Sequence, residues 1–154
     1  MAEIMTAQAT LETGMRFDAA SGSGHHVTLD AAEHGGGQNA GFRPMELLLV
    51  GLAGCTGMDV ISILRKKRQQ VSGLNVVVQG SRAEQHPKVY THINVLYRVR
   101  GNNVDPQAVE RSIELSKTRY CPVIGMLGKV AEVTTRYEIE EETELTNAPR
   151  SYEE

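Results

Sequence analysis

Apolar and polar residues change rhythm several times along the chain, and each rhythm predicts an element. Over residues 6–20 the apolar positions alternate (Ala7, Ala9, Leu11) and resume at Met15 and Phe17, as strands do. Ser21-Gly22-Ser23-Gly24 reads as a turn, and residues 25–30 as a short strand with Val27 and Leu29 on one side. The glycine-rich stretch from His34 to Gly41 predicts a flexible loop. Pro44, well suited to a first helical turn, opens a long helix that extends to about Gln69. Val71-Ser72-Gly73 ends it. Residues 74–82 follow as a strand, with Val76 and Val78 opposing Val77. His86-Pro87 marks a turn, and residues 89–100 alternate cleanly through Val89, Thr91, Ile93, Val95, Tyr97 and Val99. Asp105 as N-cap and Pro106 start a helix that ends near Tyr120. A short helix follows Cys121-Pro122, and residues 130–139 form a last strand. The acidic remainder, residues 140–154, predicts a flexible tail.

The order βββ-α-ββ-α-α-β segregates strands from helices, which predicts an α+β fold and a single domain over residues 1–139. The first half of the long helix (Met45, Leu47, Leu48, Leu49, Val50, Leu52, Ala53) is apolar almost all round, which predicts a buried, central helix. One small subunit has too little surface to cover it, so an obligate dimer is expected. Gly51, Gly54 and Gly57 recur inside it, and each weakens a helix by about 1 kcal/mol relative to alanine. Close approach of another element or of substrate would explain them.

Charge narrows the function. The net charge is −3 with only one dense basic run, Arg65-Lys66-Lys67-Arg68, at a helix end where cations complement the dipole. A nucleic-acid-binding face is therefore not expected. The apolar run Leu47–Met58 is twelve residues, short for a membrane span. Leu52-Ala53-Gly54-Cys55 imitates a lipoprotein cleavage site, but Glu46 interrupts and strands precede it. No secretory segment opens the chain, so a cytoplasmic location without membrane attachment is expected.

In a reducing cytosol two cysteines are more often redox-active than a structural staple. Cys55 lies mid-helix, beyond the reach of the helix dipole, and needs a cation from elsewhere to become a nucleophile. Cys121 precedes proline and is suited to cap the next helix, where free amides lower a thiol's pKa. The plainer alternative for each is a small core hydrophobe. The two lie 66 residues apart, and zinc would need two further ligands that His25, His26, His86 and His92 are poorly placed to supply, so no metal and no cofactor are expected. His34-Gly35-Gly36-Gly37 and Ala53-Gly54-Cys55-Thr56-Gly57 look like fragments of an esterase site, but the elbow requires a preceding strand and a helix stands there.

The strings Pro44-Met45-Glu46-Leu47-Leu48, Leu52-Ala53-Gly54-Cys55 and Tyr120-Cys121-Pro122-Val123 resemble the OsmC/Ohr family. That family carries a proline eleven residues before its first cysteine, as Pro44 stands to Cys55, and a second cysteine often followed by proline. The resemblance covers roughly residues 6–139 and is closest to an uncharacterised OsmC-like branch. It implies antiparallel sheets around a long central helix, in an intertwined homodimer. It also implies reduction of organic hydroperoxides, with Cys55 attacking, Cys121 resolving, and a lipoyl-type dithiol as reductant. An arginine from the N-terminal strands belongs to that site, and Arg16 lies where it is expected. The family's acid usually follows the proline directly. Met45 occupies that place here and Glu46 comes one residue, about 100° of helix, later. Met45, Leu48, Leu52, Met58 and Met126 would form the apolar wall for the substrate. The alternative on the same fold is a non-enzymatic thiol redox sensor or small-ligand binder.

Overall fold

In the computed structural model, which describes residues 1–143, the strands are β1 (Ala7–Thr13), β2 (Arg16–Ser21), β3 (His26–Leu29), β4 (Gln70–Arg82), β5 (Tyr90–Asn102) and β6 (Glu132–Glu141). The helices are α1 (Pro44–Lys66), α2 (Pro106–Leu115) and α3 (Pro122–Leu127). A 3-10 turn at Glu33–Gly35 and a π-helical turn at Ser116–Tyr120 complete the set. The order matches the periodicity, and the fold is α+β. The chain divides into two compact units, Met1–Gly51 and Leu52–Glu154, with the division falling inside α1.

The first unit is an antiparallel meander, β1-β2-β3. Gly14, at φ 54, turns the chain so that Arg16 opens β2 opposite Thr13. The glycine-rich loop after β3 is clamped, where its composition predicts flexibility. The buried carboxylate of Asp30 accepts the amides of Ala31, Gln38 and Ala40 at 2.8, 3.0 and 3.1 Å. Gly37 and Gly41 lie so close to the backbones of Ala31 and Thr28 that a β-carbon would collide.

Burial alone would raise the pKa of Asp30. The three amides, helped by the charge of Arg16, outweigh it and hold the carboxyl below its ordinary 3.8. Asp30 therefore contributes stability above its unfolded pKa, and that stability is lost as pH falls through the lowered folded value. Asp30→Ala is expected to melt below wild type at neutral pH, with the gap closing in acid below pH 3.8. Calorimetry across that range checks it, and a gap unchanged in acid would contradict it.

The second unit holds the sheet β4-β5-β6. β4 and β5 form the expected antiparallel hairpin, whereas β6 pairs parallel to β5, from His92 opposite Glu132 to Gly101 opposite Glu141. The reason is the connection: the helical crossover through α2 and α3 returns the chain to the end where β5 starts. β4 begins at Gln70, earlier than the pattern predicts. α1 stops at Lys66, Arg68 takes the left-handed φ of 57, and the strand starts at once. Gly73 thus marks a register shift inside β4, not a turn. β6 continues to Glu141, so the expected tail starts two residues later, and residues 144–154 lie outside the described residues.

The core of this unit takes Ile93, Val95, Tyr97 and Val99 from β5, Ala108, Val109 and Ile113 from α2, and Ile124 from α3. α1 contributes one stripe at i, i+4 spacing, Leu52, Thr56, Val60 and Leu64, together with Gly57 against Val76. This differs from a helix buried on every side. Leu48, Val50 and Met58 are 45, 50 and 73% exposed, because one chain supplies partners for one face only. Apart from the helix's own nearby backbone, a β-carbon at Gly51 or Gly54 would have no atom of the described residues within 4 Å. By length and mean hydropathy (2.0) α1 is also apolar enough to cross a membrane, a property that core helices of soluble proteins share.

Candidate functional site at the two cysteines

Both cysteines belong to the second unit, and both are free thiols. Cys55 is half-buried on α1, and Cys121 is 4% exposed. Pro122 keeps Cys121 extended (φ −77, ψ 106), so that its sulfur caps α3 and accepts the Ile124 amide at 3.4 Å. That much follows from the Cys-Pro dipeptide. The lowered pKa does not. Burial pushes the Cys121 thiol up to about 11 against the opposing capping amide of Ile124, and a hydrogen bond to Cys55 and the charge of Cys55 push it the same way. The amides of Ile124 and Val123 do not offset the loss of water around the sulfur.

The sign of this shift gives a stability profile. A folded pKa raised from 9.0 to about 11 adds stability that is complete below pH 9 and lost as pH rises through 11. Cys121→Ala is expected to flatten the part of the alkaline stability loss that begins near pH 9. Urea midpoints from neutral pH to pH 11 measure this, and parallel wild-type and variant curves would contradict it.

Four residues that the sequence gives no reason to single out form a hydrogen-bonded line attached to both cysteine-bearing segments: Thr56, Asp59, Tyr97 and Ser116. Thr56 Oγ1 lies 2.7 Å from both Tyr97 OH and Ser116 Oγ, and Ser116 donates to Asp59 Oδ2 at 2.8 Å. Burial pushes the Tyr97 phenol up to about 12. The one available signal is that Asp59 stands four residues after Cys55, on the same side of α1.

Arg16 and Glu46 belong to the first unit. Arg16 Nε donates to Glu12 Oε2 at 3.1 Å across the β1–β2 turn, in a partly exposed pair. Glu46 does something else: its Oε2 accepts the Arg43 amide at 2.9 Å, which caps the start of α1. The acid bonded to Arg16 is therefore Glu12. Met45 is half-buried. Of the expected apolar wall, Leu52 is wholly interior, whereas Leu48 and Met126 are 45 and 63% exposed. Met58 lines a cleft of about 480 Å3 between α1 and β4, with Gly54, Gly57, Ile61 and Val76, and neither cysteine reaches it. Among the described residues no group of three or more His, Cys, Asp or Glu could hold a metal ion.

A folded α+β chain with one free thiol in mid-helix and a second, nearby, at a helix cap defines a class of two-cysteine proteins. The family profile described as OsmC-like protein matches residues 35–136. Protein YhfA of Escherichia coli K12 is 36% identical over 135 residues, covering 88% of this chain and 98% of its own. A crystal structure of a hypothetical protein from Aquifex aeolicus superposes with a TM-score of 0.81 at 32% identity, over 92% of this chain and all of that one. At the level of fold alone, an organic hydroperoxide resistance protein OsmC from Legionella pneumophila is similar with a TM-score of 0.67 at 14% identity, over 90% of this chain and 98% of that one. The chain belongs to the OsmC family.

Proposed function

We propose that this protein is a thiol-dependent peroxidase that reduces organic hydroperoxides through Cys55 and Cys121. The observation that carries the reading is a pair of free thiols, Cys55 half-buried and Cys121 buried, near enough for Cys55 to raise the pKa of Cys121. The Cys55 thiolate attacks the terminal peroxide oxygen, the O–O bond breaks, Cys55 becomes a sulfenic acid, and the departing alkoxide takes up a proton to become the alcohol. The Cys121 sulfur then bonds to the Cys55 sulfur, its proton and the sulfenic hydroxyl leave as water, and an external dithiol such as a lipoyl group resets the disulfide by exchange. Burial, the largest cause of the raised Cys121 pKa, keeps that thiol protonated, which suits it to act after Cys55. The Legionella neighbour's name points to the same class of substrate.

Arg16 is the proposed activating cation, and Leu48, Met58 and Met126, exposed on the isolated chain, are proposed to meet apolar partners, peroxide substituents or a second copy. A homodimer would cover the open side of α1 and the space beside Gly51 and Gly54. Sedimentation at low micromolar concentration is expected to give twice the mass of the chain, and a folded monomer would contradict the dimer. Met45 in place of the usual acid favours a second reading, a non-enzymatic thiol switch. Steady-state turnover with a dithiol separates the two. The primary test is a mass spectrum after one equivalent of cumene hydroperoxide. Loss of two hydrogens, mapped to Cys55 and Cys121, is the expected result, and an unchanged mass would sink the reading.

A further inference from the structure

Three hydroxyls and a carboxylate form an unbroken line inside the second unit: Tyr97 OH, Thr56 Oγ1, Ser116 Oγ and Asp59 Oδ2, with spacings of 2.7, 2.7 and 2.8 Å. Tyr97, Thr56 and Ser116 have no exposed surface. The direction of the line follows from counting protons. Each hydroxyl has one to give, and an ionised carboxylate has none. Ser116 gives its proton to Asp59, so it must accept from Thr56, which in turn accepts from Tyr97. Every donor in the line is used, and the carboxylate at its end polarises the whole chain.

Burying such a line in place of aliphatic side chains gains little stability, because a polar core at best recovers its desolvation cost. Its attachments suggest another role. Thr56 follows Cys55 directly, and Asp59 stands one helical turn beyond Cys55 on α1. Ser116 begins the π-helical turn that leads to Cys121, and its carbonyl accepts the Cys121 amide at 2.9 Å. A π-turn is rare and frequently marks a functional site. Tyr97 ties the same line to β5. The helix bearing one thiol and the turn leading to the other are thus fastened together at Ser116.

We propose that Asp59, acting through Ser116, Thr56 and Tyr97, is a positioning residue that holds the Cys121 thiol against Cys55 and so sets how readily the disulfide closes. It touches no peroxide. The proposal rests on the two cysteines forming a redox pair, and it can be tested without peroxide. In a buffer of reduced and oxidised dithiothreitol, the two protein thiols give two electrons and two protons to the cyclic disulfide, and the products are the protein disulfide and the reduced dithiol. Losing the anchor of the line is expected to shift that equilibrium in Asp59→Ala toward the protein dithiol by about tenfold, the worth of one buried hydrogen bond.

Asp59→Asn, whose side-chain carbonyl still accepts from Ser116, should stay within about threefold of wild type, a split that general loosening of the fold would not produce. Sulfenate-to-disulfide conversion should slow in Asp59→Ala while the initial oxidation of Cys55 by cumene hydroperoxide keeps its wild-type rate. Should Asp59→Ala fail to fold, Tyr97→Phe, which removes only the far end of the line, should shift the equilibrium in the same direction by about two- to threefold. A wild-type equilibrium in Asp59→Ala, an Asn variant as impaired as the Ala variant, an unshifted Tyr97→Phe, or a wild-type protein that never closes the disulfide in this buffer would each overturn the proposal. Absence of Cys55 oxidation by hydroperoxide in wild type would instead overturn the peroxidase reading, leaving the dithiothreitol equilibrium to judge the clamp.

Discussion

Cys55→Ser is expected to abolish hydroperoxide consumption, while Cys121→Ser still consumes one equivalent and then stops. A serine hydroxyl does not ionise in the range where a thiolate forms, so the first variant has no nucleophile for the peroxide oxygen. The second retains the nucleophile and lacks only the partner that closes the disulfide. Its product is a Cys55 sulfenic acid, visible as a gain of one oxygen and trapped by dimedone. The structure makes the asymmetry physical. Cys121 is 4% exposed with its thiol held near pH 11, a poor first nucleophile, whereas Cys55 is the half-buried member of the pair. The measurement is peroxide consumed per chain in the absence of reductant. A full equivalent consumed by Cys55→Ser would reverse the two roles.

Arg16→Ala is expected to slow alkylation of Cys55 at neutral pH by about ten- to hundredfold, the effect of losing a charge-assisted contact of about 1.5–3 kcal/mol. The thiol sits eleven residues into α1, too far from the helix end for the dipole to help, so the proposed thiolate would need a cation from elsewhere, for which Arg16 is the candidate. Here the observed ion pair changes what should be mutated alongside. Glu46 is occupied with capping its own helix, and Glu12 is bonded to Arg16 at 3.1 Å. Glu12→Gln should therefore lower Cys55 reactivity by a smaller factor, about two- to fivefold for a partly exposed ion pair, and Glu46→Gln should act on helix stability alone. Iodoacetamide rates against pH on a Cys121→Ser background measure all three. A Cys55 profile unchanged in Arg16→Ala would remove Arg16 from the site.

The order of elements, the fold class and all three helix starts at proline are legible in the sequence because they rest on local chemistry. Alternation marks β5, Pro44 and Pro106 open α1 and α2, and Cys121-Pro122 makes a helix cap whatever surrounds it. The pairing of strands is less local. Nothing in residues 132–141 says that they join β5 in parallel, since that depends on how α2 and α3 carry the chain back. Likewise His34 to Gly41 reads as a flexible run, because the residue that clamps it, Asp30, precedes it and acts only once the loop has folded over its carboxylate.

At the site the same division holds. Two cysteines, a proline eleven residues before the first and a proline after the second suffice to name a family. The pKa of Cys121 could not be read there, because burial by residues distant in sequence outweighs the capping amide that the dipeptide guarantees. The partner of Arg16 was equally hidden, since a carboxylate's hydrogen bonds depend on where two backbones are brought together, and Glu46 found its partner within its own first turn. The line from Tyr97 through Thr56 and Ser116 to Asp59 joins β5, α1 and the π-turn, elements up to 60 residues apart in sequence. Periodicity and capping act over a few residues and were determined by the sequence itself. Burial, ion pairing and hydroxyl relays require groups from separate elements to share one space, and only tertiary packing decided them.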